Sequence, residues 1–227
     1  MWRDERLRDV ATACVGLGFA IGVFGISFGV TAVAAGTSVA QACAYSLLIF
    51  TGASQMSAIS VLKDGGTAAS AFGGAAVLAA RNAVYGLANA PHMKGRLPTR
   101  LVAAQLTIDE STSMAAAQED ESHRRAAFWI TGISVYIFWN LGTLLGALLG
   151  SSIDTEQFGL DAAFPAAYVA MLWPLLRHRR NAVSSVIGAV VCLVLIPFTP
   201  VGVPILCATV GIAVGIPRPD ETETAAE

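Results

Sequence analysis

A few polar and charged side chains lie inside otherwise apolar runs of this sequence. The candidates for binding a polar solute are Thr51, Gly52, Ser54, Gln55, Asn82, Tyr85 and Asn140, and the candidates for carrying a proton or forming an ion pair are Arg81, Asp109 and Glu110. Hydrocarbon offers no hydrogen bonds, so each unsatisfied polar group placed there costs free energy. Such clusters therefore indicate a packed interior or a water-filled cavity.

The first cluster is the stretch IFTGASQMSA, residues 49–58, inside the run from Val10 to Leu62 that has no charged residue. Gly52 is expected to weaken or break a helix there. An interrupted helix exposes N–H and C=O groups at mid-membrane, where transporters use them to hold carboxylate and ammonium groups. The alternative is hydrogen bonding between helices by Ser54 and Gln55.

The second cluster is AARNAVYGLANA, residues 79–90, which places Arg81 well inside an apolar segment. A charge at the bilayer centre costs about 2.5–3.5 kcal/mol on insertion scales, so such a residue is functional or paired. Helical spacing puts Asn82 and Tyr85 near the same face as Arg81. The alternatives are a structural salt bridge and a side chain that extends to the membrane surface.

The third cluster is QLTIDESTS, residues 105–113, in which Gln105, Asp109 and Thr112 follow one helical face at steps of four and three. We expect Asp109 or Glu110 to pair with Arg81 and to be able to bind a proton. The alternative is a solvated amphipathic helix. Asn140 is a fourth candidate, and a single bond to a neighbouring helix is its simpler explanation.

Composition predicts the setting of these clusters. The chain has 227 residues, of which 55% are hydrophobic and only 13% are charged, against about 25% in soluble domains. The apolar segments are 10–34, 39–62, 67–90, 126–150, 159–176, 181–197 and 200–216, with a weaker one at 101–118. A membrane-spanning helix needs about 20 apolar residues. We predict an all-α, polytopic protein of the cytoplasmic membrane, a single domain over 1–227 with its core at 10–216.

Lysine and arginine should concentrate in cytoplasmic loops. They are found in the N-terminal tail, in the loop 91–100 and before the segment 126–150, which predicts that both termini are cytoplasmic. If 39–62 and 101–118 both cross, the loop 91–100 lies outside with three positive charges. If both are re-entrant or broken, that loop lies inside, so six, seven or eight crossings stay open.

Two stripes of glycine favour close helix packing. The first is Gly18, Gly22, Gly25 and Gly29, and the second is Gly142, Gly146 and Gly150. Small residues at this spacing let helix backbones approach in lipid. A chain this short has few helices to cover two stripes, so we expect a second membrane chain to contribute. The similar tails AAGTS and LLGSS also hint at two related halves, 10–90 and 126–216.

Known catalytic and cofactor motifs are absent from the sequence. It contains no phosphate-binding loop, HExxH, GxSxG or dinucleotide fingerprint, and we predict no enzyme activity and no cofactor. Each of the four cysteines stands alone in an apolar segment, which predicts no metal site. No basic block indicates nucleic acid.

At these clusters the chain resembles AzlC, the large subunit of bacterial branched-chain amino-acid exporters. The similarity begins at GISFGVTAVAAGTS, residues 25–38, and continues through SLLIFTGASQ, residues 46–55, where the family reads close to FAGASQ. Of the family's next polar motif only Arg81 and Tyr85 match, and Ala79 and Asn82 stand at the places of other family residues. LTIDE, residues 106–110, resembles the family's LTDE with one residue inserted, and FGLDAAFPAAYVAM, residues 158–171, resembles its GLDFA-type segment.

The resemblance implies export of branched-chain or similar small amino acids, coupled to the proton motive force. It also implies a small membrane subunit of about four helices as a partner. The departures at Ala79 and Asn82 leave the substrate and the coupling open. A channel or passive pore for a small polar solute is the alternative function, and a scaffold without a transported substrate is a third.

Overall fold

The computed structural model describes residues 5–63, 65–90, 93–150, 169, 173, 175–177, 179–199, 203–208, 210 and 211. The chain forms two compact units, Met1–Asp161 and Ala162–Glu227. The helices of the first unit are α1 Glu5–Ala34, α2 Val39–Leu48, α3 Ala53–Lys63, α4 Ala68–Asn89, α5 Leu97–Gln105, α6 Asp109–Ala116 and α7 Glu121–Leu149. Those of the second unit are α8 Arg179–Leu195 and α9 Val203–Ala208.

The all-α class of a polytopic membrane protein is confirmed, since the described residues include no strand. Within the part of the chain that the structure describes, three helical stretches are long and apolar enough to cross a membrane: Glu5–Ala34, Glu121–Leu149 and Arg179–Phe198. The helix α4 has 22 residues but is not among them. The predicted segment 159–176 lies mostly outside the described residues, as does much of 200–216. The number of crossings therefore stays a prediction.

Capping residues in the sequence mark the first residue of two helices of the first unit. Ser38 accepts a hydrogen bond from the Gln41 backbone while the Gln41 side chain accepts one from the Ser38 backbone, a capping box that starts α2. Asp120 caps α7 through the backbone N–H groups of Ser122 and His123. The Ser122 hydroxyl and the His123 side chain hold the pKa of the exposed Asp120 carboxyl well below its usual range.

The helices α1 and α7 form the central pair of the first unit. The buried stripe of α1 fits directly onto the α7 backbone: a Cβ added at Gly25 would meet the carbonyl oxygen of Trp139, and one at Gly29 would meet that of Thr143. From the other side, a Cβ at Gly146 would meet the carbonyl oxygen of Ile26. Only glycine allows this approach.

These contacts correct the earlier reason for expecting a second chain. The stripes on α1 and α7 lie against each other, so both are covered within one unit, and they do not argue for a partner. The third predicted member of the second stripe, Gly150, instead ends α7 with a φ of 42°.

The two central helices run in the same direction. Gly18 lies beside Ser134, and Gly29 lies farther along beside Ala147, so residue numbers rise together on both helices. Residues 35–120 must therefore carry the chain back from the end of α1 to the start of α7.

The first apolar segment of this return is a helical hairpin, here called hairpin 1, made of α2 and α3. The helix α2 begins beside the end of α1, and its Ser46 hydroxyl bonds to that of Thr143 at 3.2 Å. Its last turn reaches Tyr136, near the middle of α7, where the Tyr136 hydroxyl donates to the Leu47 carbonyl at 3.1 Å. The helix α3 then returns, since Leu62 lines a cavity with Ala35. Hairpin 1 therefore enters from the end of α1 and turns at mid-height.

The second is hairpin 2, made of α5 and α6, which enters from the opposite end. Its tip reaches the middle of α7, where Leu106 fills the space beside Gly132. The helix α6 then runs in the same direction as the second half of α4, because Asp109 pairs with Arg81 and Thr112 bonds to Asn89. Helices of eight to eleven residues are about 12–17 Å long, roughly half the 30 Å hydrocarbon thickness. Hairpins 1 and 2 therefore have the geometry expected if the segments 39–62 and 101–118 are re-entrant and do not cross the membrane.

The second unit also contains a close contact at glycine. The Ser184 hydroxyl of α8 donates to the carbonyl of Gly211 at 2.7 Å. A Cβ added at Gly188 would lie 3.1 Å from the carbonyl oxygen of Ala208 at the end of α9. Small residues hold these helices together as they do α1 and α7.

Replacing Gly25 by Leu should destabilise the first unit by about 1–3 kcal/mol or more, because the side chain would push α1 away from the Trp139 carbonyl. The measurement is the midpoint of thermal unfolding in mild detergent, followed by size-exclusion chromatography. Gly16→Leu is the matched control, since an added Cβ at that exposed position meets nothing within 4 Å. Equal midpoints for the two variants would contradict the packing described.

Candidate functional site

The tip of hairpin 1 lies between Leu48 and Ala53. The helix α2 ends as the Ile49 N–H bonds to the Tyr45 carbonyl, and the Thr51 N–H turns back to the Ile49 carbonyl at 3.0 Å. Gly52 follows with a φ of +58°, a conformation that costs other residues about 1–2 kcal/mol. A Cβ added at Gly52 would meet nothing within 4 Å, so the backbone angle rather than crowding requires glycine here. The predicted helix break is confirmed.

Gln55 stabilises this break from within α3. Its Oε1 accepts a hydrogen bond from the Gly52 N–H at 3.1 Å, which satisfies one of the exposed donors at the start of the helix. The side chain is fully buried, and its Nε2 has no partner among the described residues. The Oε1 of Gln55 therefore stabilises the tip, while its Nε2 group remains able to donate hydrogen bonds.

Two hydroxyl groups beside Gln55 are also unsatisfied. Ser54 is 1% exposed, and neither its Oγ nor the buried Oγ1 of Thr51 has a partner in the part of the chain that the structure describes. A buried polar atom left without a hydrogen bond costs about 1–3 kcal/mol. Thr51 lies in the break before α3 begins, so it does not share a helical face with Gln55.

One face of α7 lies along hairpin 1. Tyr136, Asn140 and Thr143 are spaced by four and three, and the first and last of them bond to α2. The Phe50 and Tyr136 rings meet edge to face at 5.0 Å. Asn140 donates to the Tyr136 carbonyl of its own helix at 2.8 Å, and its buried Oδ1 has no described partner. The simpler explanation of Asn140, a bond to another helix, is not found among the described contacts.

The charged cluster lies between α4 and hairpin 2. Arg81 Nη2 is 2.8 Å from Asp109 Oδ2, and the side chains are 32% and 17% exposed. The pairing expected from the cost of a charge in hydrocarbon is therefore confirmed. The pair is not saturated, since Arg81 Nε and Asp109 Oδ1 are buried without a described partner.

Tyr85 and Glu110 complete the charged cluster, and both lie close enough to Asp109 and Arg81 to interact electrostatically. Asp109 and Glu110 stand in the first turn of α6, where the positive end of the helix dipole favours carboxylates. Asn82, next to Arg81 on α4, is half-buried and makes no polar side-chain contact with the described residues.

Gln105 joins the two hairpins. Its Nε2 donates to the Leu47 carbonyl at 3.0 Å and to the Leu48 carbonyl at 3.3 Å, the last two carbonyls of α2. The expectation that Gln105, Asp109 and Thr112 share one helical face is wrong, because the chain breaks at 106–108 between α5 and α6. Gln105 instead faces the tip of hairpin 1, while Thr112 faces Asn89 on α4.

Sequence reasoning did not select Gln105 or Tyr136 as site residues. The signal for both was their position in an apolar context, Gln105 near Asp109 and Tyr136 one turn before Asn140. What the sequence lacked was the direction of each side chain, which depends on the tip of hairpin 1.

Two cavities, each of about 620 Å³, lie at opposite ends of α4. The first, here called cavity 1, is mostly apolar and extends from Ala35 and Ala68 to Ser54 and Ala79. The second, cavity 2, lies between the end of α4 and α5, and extends from Lys94 to Thr107. Cavity 1 thus reaches the tip of hairpin 1, and cavity 2 reaches the tip of hairpin 2.

Comparison with known proteins agrees with this description of a helical membrane protein. The chain is 28% identical over 182 residues to a protein of Helicobacter pylori named "Uncharacterized membrane protein", which covers 76% of this chain and 78% of that protein. It is 25% identical over 178 residues to "Inner membrane protein YgaZ" of Escherichia coli K12, with 72% and 71% covered. No solved structure matches the chain significantly.

The family comparison covers most of the first unit. A family model described as "AzlC protein" matches residues 16–153, which include both hairpins, α4 and most of α1. This region contains every candidate site residue. The chain therefore belongs to the AzlC family, a family of membrane transporters.

Proposed function

We propose that the protein is a secondary transporter that exports branched-chain or similar small amino acids across the cytoplasmic membrane, driven by the proton motive force. Membership in the AzlC family supports membrane transport. The choice of substrate rests on the tip of hairpin 1, and the choice of driving force rests on the Arg81–Asp109 pair.

The observation that carries the proposal is the unsatisfied first turn of α3. Thr51, Ser54 and Gln55 bring buried polar atoms without described partners to a helix N-terminus near mid-height of the bundle. A helix N-terminus binds anions through its free N–H groups and its dipole. A carboxylate bound there would offset the cost of leaving these groups unpaired.

The two hairpin tips differ in a way that supports this assignment. The first turn of α6 contains two carboxylates of the chain itself, whereas the first turn of α3 contains no acidic residue. The N-terminus of α3 therefore lacks the negative charge that its counterpart has. A substrate carboxylate would supply it.

The other parts of an amino acid also find suitable surroundings near this tip. The buried Oδ1 of Asn140, on the α7 face that lines hairpin 1, is a free acceptor for an ammonium group. Cavity 1 reaches Ser54 and is lined mainly by alanine and larger apolar residues, which suits an aliphatic side chain. A scaffold would instead be expected to satisfy its polar clusters internally.

The Arg81–Asp109 pair supports coupling to protons. Protonation of Asp109 would leave Arg81 without its ionic partner. It would also change the electrostatic interactions of Glu110 and Tyr85 with this pair. The pair connects α4 to hairpin 2, so a proton bound there acts on the position of the hairpin. Such a link between charge and a movable element is what a coupled transporter needs.

The positive charges of the first unit support cytoplasmic placement of the end where α1 and α7 begin. Arg8 is near the start of α1, and Arg125, near the start of α7, donates to the Lys94 carbonyl at 3.2 Å. Cavity 2 would then face the cytoplasm and cavity 1 the outside. A small membrane subunit remains part of the proposal through the family resemblance alone.

Proteoliposomes that contain the protein should export labelled leucine when an inward proton gradient is imposed, and should export less when the gradient is collapsed. The measurement is the initial rate of efflux, with and without a co-reconstituted small subunit. Empty liposomes are the control. An efflux rate that is the same with the gradient imposed and collapsed would favour the passive pore, and absence of leucine flux with the subunit present would contradict the substrate class.

Gln55→Glu should abolish binding of the substrate while leaving the fold intact. The new carboxylate still accepts from the Gly52 N–H, but it removes the donor group and places a negative charge where the substrate carboxylate would bind. We expect a loss of at least tenfold in efflux, since a buried charge-assisted hydrogen bond contributes about 1.5–3 kcal/mol.

The matched control is Gln118→Glu, because among the described residues that side chain bonds only to the Met114 carbonyl, and it lies outside the site. Protein abundance and unfolding temperature are measured for both variants. Wild-type efflux by Gln55→Glu would show that α3 does not bind the substrate carboxylate.

Asp109→Asn should uncouple export from the proton gradient, because an amide cannot take up and release the proton. It also leaves Arg81 unpaired, which destabilises the fold. The double variant Arg81→Gln, Asp109→Asn removes both charges and should recover the unfolding temperature without recovering coupling. Efflux measured against the size of the gradient separates the two effects, and retained gradient dependence in the double variant would refute proton coupling at this pair.

A further inference from the structure

We propose that Gln105 closes the transport path at mid-membrane by binding the tip of hairpin 1 to hairpin 2, so that cavities 1 and 2 are two halves of one path. The inference rests on the proposed transport function but concerns the barrier rather than the substrate. It assigns a positioning role to a residue that neither binds the substrate carboxylate nor belongs to the charged pair.

The positions of the two hairpin tips support such a barrier. Hairpins 1 and 2 enter from opposite ends of α4 and turn at the same level of α7, where Tyr136 bonds to Leu47 and Gly132 accommodates Leu106. The described cavities end at these tips, cavity 1 at Ser54 and cavity 2 at Thr107. Cavity 1 therefore reaches one tip and cavity 2 reaches the other, while the bonds of Gln105 that join the tips lie at exposed positions beside them.

The hydrogen bonds across the contact between the tips are few and can be broken separately. Gln105 makes both of its described hydrogen bonds to backbone carbonyls of hairpin 1, at 3.0 and 3.3 Å. These carbonyls end α2 and have no partner within their helix. Since Leu47 also accepts from Tyr136, this carbonyl keeps one hydrogen bond when Gln105 withdraws. Separation of the tips therefore leaves fewer groups unsatisfied than the breaking of a continuous helix would.

Gln105 also lies close to the charged pair along the chain. Only 106–108 separate it from Asp109, and this break is itself held by the Ser111 hydroxyl, which donates to the Leu106 carbonyl at 2.7 Å. A shift of Asp109 relative to Arg81 is therefore transmitted through a short, internally bonded segment to Gln105. The charged cluster thereby controls whether the tips stay together.

Access of a thiol reagent tests this barrier without any substrate. In a chain whose cysteines at 14, 43, 192 and 207 are replaced by alanine, Ala79→Cys places an accessible thiol in cavity 1 and Ala104→Cys places one in cavity 2. Each is treated with a membrane-impermeant maleimide, from outside in whole cells and from inside in inverted vesicles. We expect the two cysteines to be labelled from opposite sides.

Adding Gln105→Leu should open the barrier, because leucine has a similar size and donates no hydrogen bond. Labelling of Ala79→Cys from the side of cavity 2 should then rise roughly tenfold or more, as expected when two ordinary hydrogen bonds no longer favour the closed state. Gln105→Asn, which keeps a shorter donor, should give a smaller rise and serves if the leucine variant does not fold. Gln118→Leu is the matched control and should leave both labelling patterns unchanged.

Three results would overturn the proposal. These are labelling of both cysteines from the same side, labelling of neither, and unchanged patterns in folded Gln105→Leu or Gln105→Asn protein. Because the reagent reports access alone, a negative result here leaves the leucine efflux test standing, and absence of leucine efflux leaves the barrier test standing.

Discussion

The structure of the first unit depends on one constraint, which is that backbone N–H and C=O groups within hydrocarbon need hydrogen-bond partners. Two hairpins break their helices at the middle of α7, and each break frees such groups. The chain satisfies most of them locally: Gln55 binds the Gly52 N–H, Ser111 binds the Leu106 carbonyl, and Gln105 binds the carbonyls that end α2. Buried side-chain atoms without a described partner remain at the tip of hairpin 1 and at the charged pair, where a solute or a proton can bind them.

The rigid part of the unit is the α1–α7 pair, because glycines at the contact let the two backbones meet directly. Where Gly25 or Gly146 meets the opposite backbone, no rotamer can adjust and no space remains. Hairpin 1, in contrast, contacts α7 through single polar or aromatic groups such as Ser46, Tyr136 and Phe50. The unit thus combines a fixed pair of helices with two short elements that a few hydrogen bonds hold in place.

The sequence predicted much of this arrangement because its signals were local. An apolar run interrupted by Gly52 predicted the break, and the cost of Arg81 in hydrocarbon predicted its acidic partner. The path of the chain was less accessible, since a re-entrant hairpin and a crossing helix have the same composition over 39–62. The face occupied by Gln105 was predicted wrongly for a related reason: helical periodicity was extended through Leu106–Ile108, where the chain in fact turns. Whether the glycine stripes are covered by this chain or by a second chain depends on which helices pair. The spacing of the glycines alone does not determine that pairing.

The pairing of α1 with α7 also has a consequence for the order in which the protein folds. Gly18 and Ser134 are in contact although more than half of the chain's length separates these two residues in the sequence. During synthesis α1 is made first and stays without its partner while α2 to α6 emerge, and both hairpin tips depend on groups of α7. Contacts of such large sequence separation form slowly because the intervening loop must be ordered before they stabilise it. Hairpins 1 and 2 are therefore expected to settle at mid-membrane only after α7 is inserted, which makes the last helix of the first unit the one that completes the site.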